Sequence, residues 1–399
     1  MKTTLDVALT GKERILTVLS GGTPDRVPFV PNIWQWFHVN QSRGTLPEEL
    51  RDAATPVAAL RRVGADVMSK FDGICLVERL HACQTRVTFE DDGGPKPQWT
   101  SFTTFEGGNV RRETLETPHG SLTHAWQYEP VTGAPFETEH WWKRFDDELP
   151  AVRAWLGDAD WDVDRIALQR GLAHVGEDGL ILLQLPPTPL KKFHWLAGPE
   201  QASLFLVDHP DAMCELARVL EAKTLAALEQ VVDLDGVEAF EFPENLDSLF
   251  YSPSLFREFC LPVMRKAARM VHQRGKYLFA HACGRLQALA GLFVEAELDC
   301  VEGQAHPPLG DWRLDEARQL GLIACGGMTA NEQEWTGPDA ARRIDRHVRD
   351  LFASLGDRRR FLFASGCNTS PAMPFSNLLA FRDAAWNYGR RTGTSGPPF

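Results

Sequence analysis

From about residue 178 onward, short apolar runs alternate with longer amphipathic stretches. The runs at residues 180–184, 237–242, 277–280, 300–303, 322–325 and 361–364 have the length and composition of buried strands. Between them, 210–232 and 253–274 carry apolar residues at helical spacing, while 338–355 and 374–388 open on proline and stop before Gly356 and Gly389. The N-terminal part supplies a helix at 11–20, a strand at 27–31, a helix around 47–63 and a strand near 65–71. Units of this kind build a parallel sheet with helices outside it, and eight of them close a barrel. The rhythm breaks between 83 and 142, where 85–89, 99–105, 109–117 and 121–128 alternate in polarity between Gly, Pro and Asp-rich turns. The pattern predicts an α/β fold: a single (β/α)8 TIM barrel over residues 1–399 with a β-hairpin-rich insertion at 83–142 and a loose tail at 392–399.

Composition narrows the function classes. A formal net charge of −12 argues against nucleic acid, whose phosphates require a basic footprint. No apolar run approaches the length of a membrane span, and charges occupy the N-terminal positions where a secretory leader needs its apolar core. The eight cysteines lack the spacing of a disulfide framework, so a reduced, cytoplasmic protein is expected.

The candidate chemistry lies in His281-Ala-Cys283-Gly284 and in Cys367, within Ala-Ser-Gly-Cys-Asn-Thr. Each group directly follows a predicted strand, and alternate side chains of a strand share a face. One imidazole and two thiolates suit a zinc ion with one coordination position left open. A lone cysteine is usually a small buried hydrophobe; a third donor, the second sulfur, at an equivalent strand end favours the metal. Parallel barrels gather reactive groups at the carboxyl ends of their strands. Glu244 and Glu302 are therefore candidate acid–base residues, with Glu302 also placed to orient His281 and Glu244 also readable as a helix cap or fourth ligand. Glu241 is a weaker candidate at the same strand end, with a helix-facing side chain as its alternative reading, and Asn245 and Asn331 are strand-end neighbours, Asn245 a candidate substrate contact. Of the many tryptophans, most of which should fill cores, Trp34 and Trp36 follow the first strand and are expected to form an apolar wall for an aromatic substrate. His38, His140, His194 and His306 lack a partner spacing and read as surface or core residues.

With these residues in place, the chain resembles the uroporphyrinogen decarboxylase superfamily. The likeness runs through Lys12-Glu-Arg14, Thr23-Pro-Asp-Arg-Val-Pro28, Ser252-Pro253 with Leu261-Pro262, and Gly275-Lys276 leading to His281-Ala-Cys-Gly284. It continues in Gly326-Gly327 and in Gly366-Cys367 through Pro374, Asn377 and Ala380. The resemblance implies a (β/α)8 barrel. The porphyrin decarboxylases carry an arginine-rich stretch after the first strand; here residues 31–38 contain none, and a polycarboxylate porphyrin would lack its guanidinium partners. The branch of zinc-dependent, corrinoid-linked methyltransferases uses a His-x-Cys pair and a distant Cys as ligands, matched by His281, Cys283 and Cys367. That branch implies methyl transfer between a small O- or S-methyl compound, among them methoxylated aromatics, or a thiol, and a corrinoid. The Asp-x-His-x-x-Gly signature of corrinoid domains does not occur in this sequence, so the corrinoid is expected on a separate protein docking at an open barrel mouth. Two rivals are a metal-independent decarboxylase or lyase using Glu244 and Glu302, and a corrinoid-handling protein without turnover.

Overall fold

The computed structural model describes residues 8–97, 104–305, 307, 309–328, 335, 337–357 and 359–390. Asn331, His306, the 392–399 tail and all but the last two residues of the expected 99–105 strand lie outside the described residues. In chain order the strands are β1 (Val67–Ser69), β2 (Leu76–Arg79), β3 (Gln84–Glu90), β4 (Val110–Thr117), β5 (Gly120–Tyr128), β6 (Pro135–Glu139), β7 (Asp160–Val163) and β8 (Gly179–Gln184). They continue with β9 (Ala239–Phe242), β10 (Tyr277–His281), β11 (Cys300–Gln304), β12 (Ile323–Met328) and β13 (Phe361–Ser365). β1 and β8 to β13 form one parallel sheet in the order β1-β8-β9-β10-β11-β12-β13, with helices in the connections.

Residues 27–30 close that sheet into a barrel. Phe29 bridges Phe363 in parallel, with Val30 N–H donating to Phe363 O at 2.8 Å and Phe363 N–H to Pro28 O at 2.9 Å. On the other flank Asp66 N–H donates to Phe29 O at 2.8 Å, and Phe29 N–H donates to Asp66 Oδ2 at 3.2 Å. The strand expected at 27–31 shrinks to this two-sided bridge because Pro28 and Pro31 have no N–H to give a ladder.

Strand alternation divides the core in two. Leu180, Leu182, Ala239, Phe279, Cys300, Ile323, Cys325, Leu362 and Ala364 point into the barrel and pack with Ile15, Val18 and Leu19. Those three belong to the helix Gly11–Leu19, whose first residue abuts Asp178 just before β8, so the helix plugs the amino end. The intervening positions, such as Ile181, Phe240, Leu278, Val301, Ala324 and Phe363, pack outward in the larger cluster with the surrounding helices.

Two expected helices are broken. Instead of one helix over 47–63 there is a 3-10 turn at Glu48–Leu50 and a helix at Pro56–Val63, restarted by Thr55, whose Oγ1 accepts from Ala58 N–H at 3.1 Å. Instead of one over 253–274, Pro253–Phe259 and Leu261–His272 meet at Cys260, next to Pro262, which has no N–H to continue the ladder. The hairpin-rich stretch is a four-stranded antiparallel sheet in the order β3-β4-β5-β6, with β6 an addition to the expected strands. Among the described residues no helix is long and apolar enough to cross a membrane.

The buried Asp66 also pairs with the guanidinium of Arg14, itself bonded through Nε to Asp25 Oδ1 at 2.7 Å. Asp66→Ala removes the acceptor of the Phe29 bridge and strips Arg14 of a buried partner, so about 3–5 kcal/mol of stability should be lost. Urea denaturation measures this, and an unchanged midpoint would show that closure does not depend on Asp66.

Candidate metal centre

The three donors predicted from strand ends converge. One ligand atom each of His281, Cys283 and Cys367 lies within 4.8 Å of the other two, and His281 Nε2 is 3.7 Å from Cys367 Sγ. His281 ends β10 on its inward side, in phase with Phe279, while Cys367 follows β13. The ring is fixed from behind: Nδ1–H donates to Glu302 Oε2 at 2.5 Å, leaving Nε2 directed at the sulfurs. Space for the ring comes from Gly303, where a Cβ would lie 2.5 Å from His281 Cε1. That glycine has φ +81° and sits in a β-bulge between Glu302 and Gln304.

The inward phase of each strand, carried one step toward the carboxyl end, sets a polar floor above the apolar core. Met68 leads to Lys70, Leu182 to Gln184, Ala239 to Glu241, Phe279 to His281 and Cys300 to Glu302. Lys70 Nζ lies 2.5 Å from Glu302 Oε2 and 3.1 Å from Glu241 Oε2, and Gln184 Nε2 donates to Glu241 Oε2 at 2.7 Å. Burial opposes the charge on Lys70, but the two carboxylates outweigh it and raise its pKa. Burial likewise works against the charge of Glu302, yet Lys70 and His281 hold it well below the usual carboxylate range. Glu241 goes the other way, pushed up to about 7 by burial and by Glu302 against the pull of Lys70. At His281 burial and Lys70 depress the pKa, while Glu302 and Cys367 prevail and raise it to about 9. The Cys367 thiol is drawn down to about 4 by the hydrogen bond from Cys283 and then by His281, and Cys283, as donor, is pushed up.

Above the floor is a chamber of about 750 Å3. Lys70, Glu241, Asn245, His281, Cys367 and Asn368 line its base. Its upper walls include Trp126, Trp141, Trp155 and Trp195, the first of them on the antiparallel sheet that covers the barrel end. The tryptophans expected to form this wall do not line it. Trp36 is 2% exposed, donates from Nε1 to Met373 O at 2.8 Å and stacks against Phe375, because it falls on the inner face of the helix Trp34–Arg43. Trp34 stacks at 4.0 Å on Phe71, and it is Phe71 that lines the chamber.

Glu244 is also not where an acid–base residue would be. It is fully buried, with Oε1 accepting from Thr188 N–H at 2.8 Å and Oε2 from Thr188 Oγ1–H at 2.7 Å, so it braces the start of the helix Pro189–Ala197. Glu241, the weaker of the strand-end acids in the sequence, points inward, against Lys70 and Gln184. Asn245, with φ of 52°, is turned into the chamber lining by a left-handed backbone that asparagine tolerates. The sequence does not single out Lys70: counting by two from Met68 puts both on one strand face, and only the fold turns that face inward.

Residues 194–388 match the model of the uroporphyrinogen decarboxylase (URO-D) family. That segment belongs to the URO-D family. It holds β9 to β13 and with them all three donors. No curated protein matches the chain. Among solved structures, a methyltransferase from Methanosarcina mazei is similar over 95% of this chain and 99% of its own, with a TM-score of 0.57 and 14% identity. A B12-independent methionine synthase from Shewanella sp. W3-18-1 aligns over 54% of this chain and 64% of its own, with a TM-score of 0.36 and 15% identity. An intracellular xylanase from Thermoanaerobacterium saccharolyticum aligns over 52% and 72%, with a TM-score of 0.32 and 9% identity. The first likeness shows the fold alone; the other two carry no argument.

Outside the URO-D segment, the covering sheet has its own buried charge cluster. His124 donates to Glu113 Oε2 from Nδ1 and to Glu137 Oε1 from Nε2, each at 3.0 Å, and stacks on Trp141 with ring centroids 4.8 Å apart. Arg111 pairs with Glu113, and His140 with Glu137. Burial disfavours the imidazolium, but the two carboxylates raise the His124 pKa above its ordinary value. Folding therefore favours the protonated ring: its stabilisation is complete below the ordinary histidine pKa of about 6.5 and disappears as pH rises through the higher folded value. Thermal melts from pH 6 to 9 should show a fall in Tm that His124→Gln flattens; equal slopes would discount the cluster. Within the URO-D segment, Gly303→Ala should displace the His281 ring and weaken divalent-metal binding by about ten-fold or more, read by competition with a chromogenic chelator. Wild-type affinity in that variant would mean that the ring does not ligate.

Proposed function

We propose that the chain is a zinc-dependent methyltransferase that moves a methyl group between a small O- or S-methyl compound, or a thiol, and a corrinoid carried by a separate protein. The observation that carries this reading is the meeting of His281, Cys283 and Cys367 at one point. Tetrahedral zinc, with bonds of about 2.0 Å to nitrogen and about 2.3 Å to sulfur, sets such ligands roughly 3.6 Å apart; the His281 nitrogen and Cys367 sulfur are 3.7 Å apart. Two thiolates and a neutral imidazole would balance the dication, and a fourth position would remain for substrate. Zinc bound there supplies Lewis acidity to a thiol or an ether oxygen of the substrate. The URO-D segment and a structural neighbour called a methyltransferase support the same reading.

The remaining roles follow from the walls of the chamber. Phe71 and the four tryptophans offer flat apolar surfaces that hold an aromatic ring and exclude water, which favours a methoxylated aromatic compound as methyl donor. Asn245 and Asn368 place amide groups beside the ligands, where they hold a polar substituent of the substrate. Glu302 acts by orienting His281 rather than as a proton donor, since its Oε2 is engaged by both His281 and Lys70. The rival metal-independent lyase loses its acid–base pair, because both oxygens of Glu244 are committed to Thr188.

The purified protein should contain about one zinc per chain and should methylate reduced cobalamin from a methoxylated aromatic, followed by the change in corrinoid absorbance. Cys367→Ala should lose most of the metal and cut transfer by more than the ~100-fold typical of losing an outer partner. Protein without stoichiometric zinc, or activity that survives chelation, would defeat the reading.

A further inference from the structure

Lys70 follows β1 and enters the carboxyl end of the barrel, where its ammonium bonds to Glu302 on β11 and Glu241 on β9 at 2.5 and 3.1 Å. β9 and β11 are the two neighbours of β10, whose last residue is His281. The imidazole is thus bracketed by two carboxylates that one lysine joins, and Lys70 Nζ lies 3.3 Å from its Nδ1. Both N–H donors converge on the same oxygen, Glu302 Oε2. A glutamate has three rotatable bonds, and one hydrogen bond to an imidazole leaves the pair free to swing together. The lysine removes that freedom, because it comes from the end of a strand four positions away in the sheet and grips the same carboxylate oxygen from that side. Gln184 on β8 holds Glu241 in turn, so four strands and the residue after β1 contribute to one network.

We propose that Lys70 is a positioning residue for the metal centre: by tying Glu302 to Glu241 across the barrel end, it fixes the orientation of the His281 ring and hence the point at which Nε2 meets the two sulfurs. The inference rests on His281, Cys283 and Cys367 being metal ligands. Lys70 needs no contact with substrate for this role.

Lys70→Met alone strands two buried carboxylates and invites unfolding. The double variant Lys70→Met/Glu241→Gln removes one charge of each sign and leaves the Glu302–His281 pair in place. It should fold, by circular dichroism, yet bind zinc about 10–100-fold more weakly in chelator competition, with an altered visible spectrum when loaded with cobalt(II). In the metal-free protein labelled with 15N-histidine, the Nδ1–H signal of His281, assigned by its loss in His281→Gln, should broaden through solvent exchange in the double variant. Lys70→Arg, whose fork can reach both carboxylates, should restore part of the zinc affinity. An unchanged Nδ1–H signal, or zinc affinity within about two-fold of wild type, where outer partners usually cost 10–100-fold, overturns the proposal. If the wild-type protein binds no zinc, the proposed function fails on that result, and the metal-free signal alone decides the lysine.

Discussion

Closure of the parallel sheet is the constraint from which the site follows. β10 and β13 are separated by two strands, which in a flat sheet would put their ends about 14 Å apart at the usual inter-strand spacing. The His281 nitrogen and Cys367 sulfur are instead 3.7 Å apart, because the sheet curls until residues 27–30 seal it and the inward side chains of distant strands face one another across the axis. Nothing local to either side chain could bring them together. The Phe29 bridge, the Asp66 carboxylate and the Arg14 guanidinium that holds it are therefore part of the site's architecture, although they lie far from its chemistry in sequence.

The same alternation that builds the core also builds the floor. Inward positions low in the barrel are apolar and pack against the plugging helix; one step higher they become Lys70, Gln184, Glu241, His281 and Glu302. Charges in that place are tolerable because each is paired: two buried carboxylates share one lysine and one imidazole. The pairing also orders the His281 ring, since a histidine whose far nitrogen is gripped by a carboxylate presents the near one in a single direction.

The antiparallel sheet adds walls to the mouth expected at the barrel end, so that floor and sheet together bound a chamber. Its inner face brings Thr85, Glu113, His124, Trp126 and Glu137 over the floor, and three further tryptophans complete the walls. The acids among them are already matched by Arg111, His124 and His140, so the free surface is largely aromatic. A shared scaffold with a distinct cover is the usual way in which one barrel serves different substrates.

Much of the barrel was legible because strand and helix periods are local: apolar runs marked β8 to β13 within one to three residues, and the His-x-Cys pair with a sulfur after an equivalent strand picked out three side chains that the fold brings together. The breaks at Cys260 and Thr55 were missed because a helical spacing of apolar residues continues across a point where a proline interrupts the hydrogen bonds. Lys70 was missed, and the facing of Glu241 left open, for another reason: the sequence shows which residues share a strand face but not which face turns inward, and that is set by packing against the plugging helix and the outer layer. The tryptophans illustrate the same limit. Position after a strand suggested Trp34 and Trp36, whereas the walls came from Trp126, Trp141, Trp155 and Trp195, on a sheet, two helices and a connection between sheet and helix whose placement over the barrel is a matter of non-local contacts. Sequence alone determined the periodic elements and the chemistry available at their ends; the tertiary structure decided which of those ends share one space, because only closure and covering set distances between residues remote along the chain.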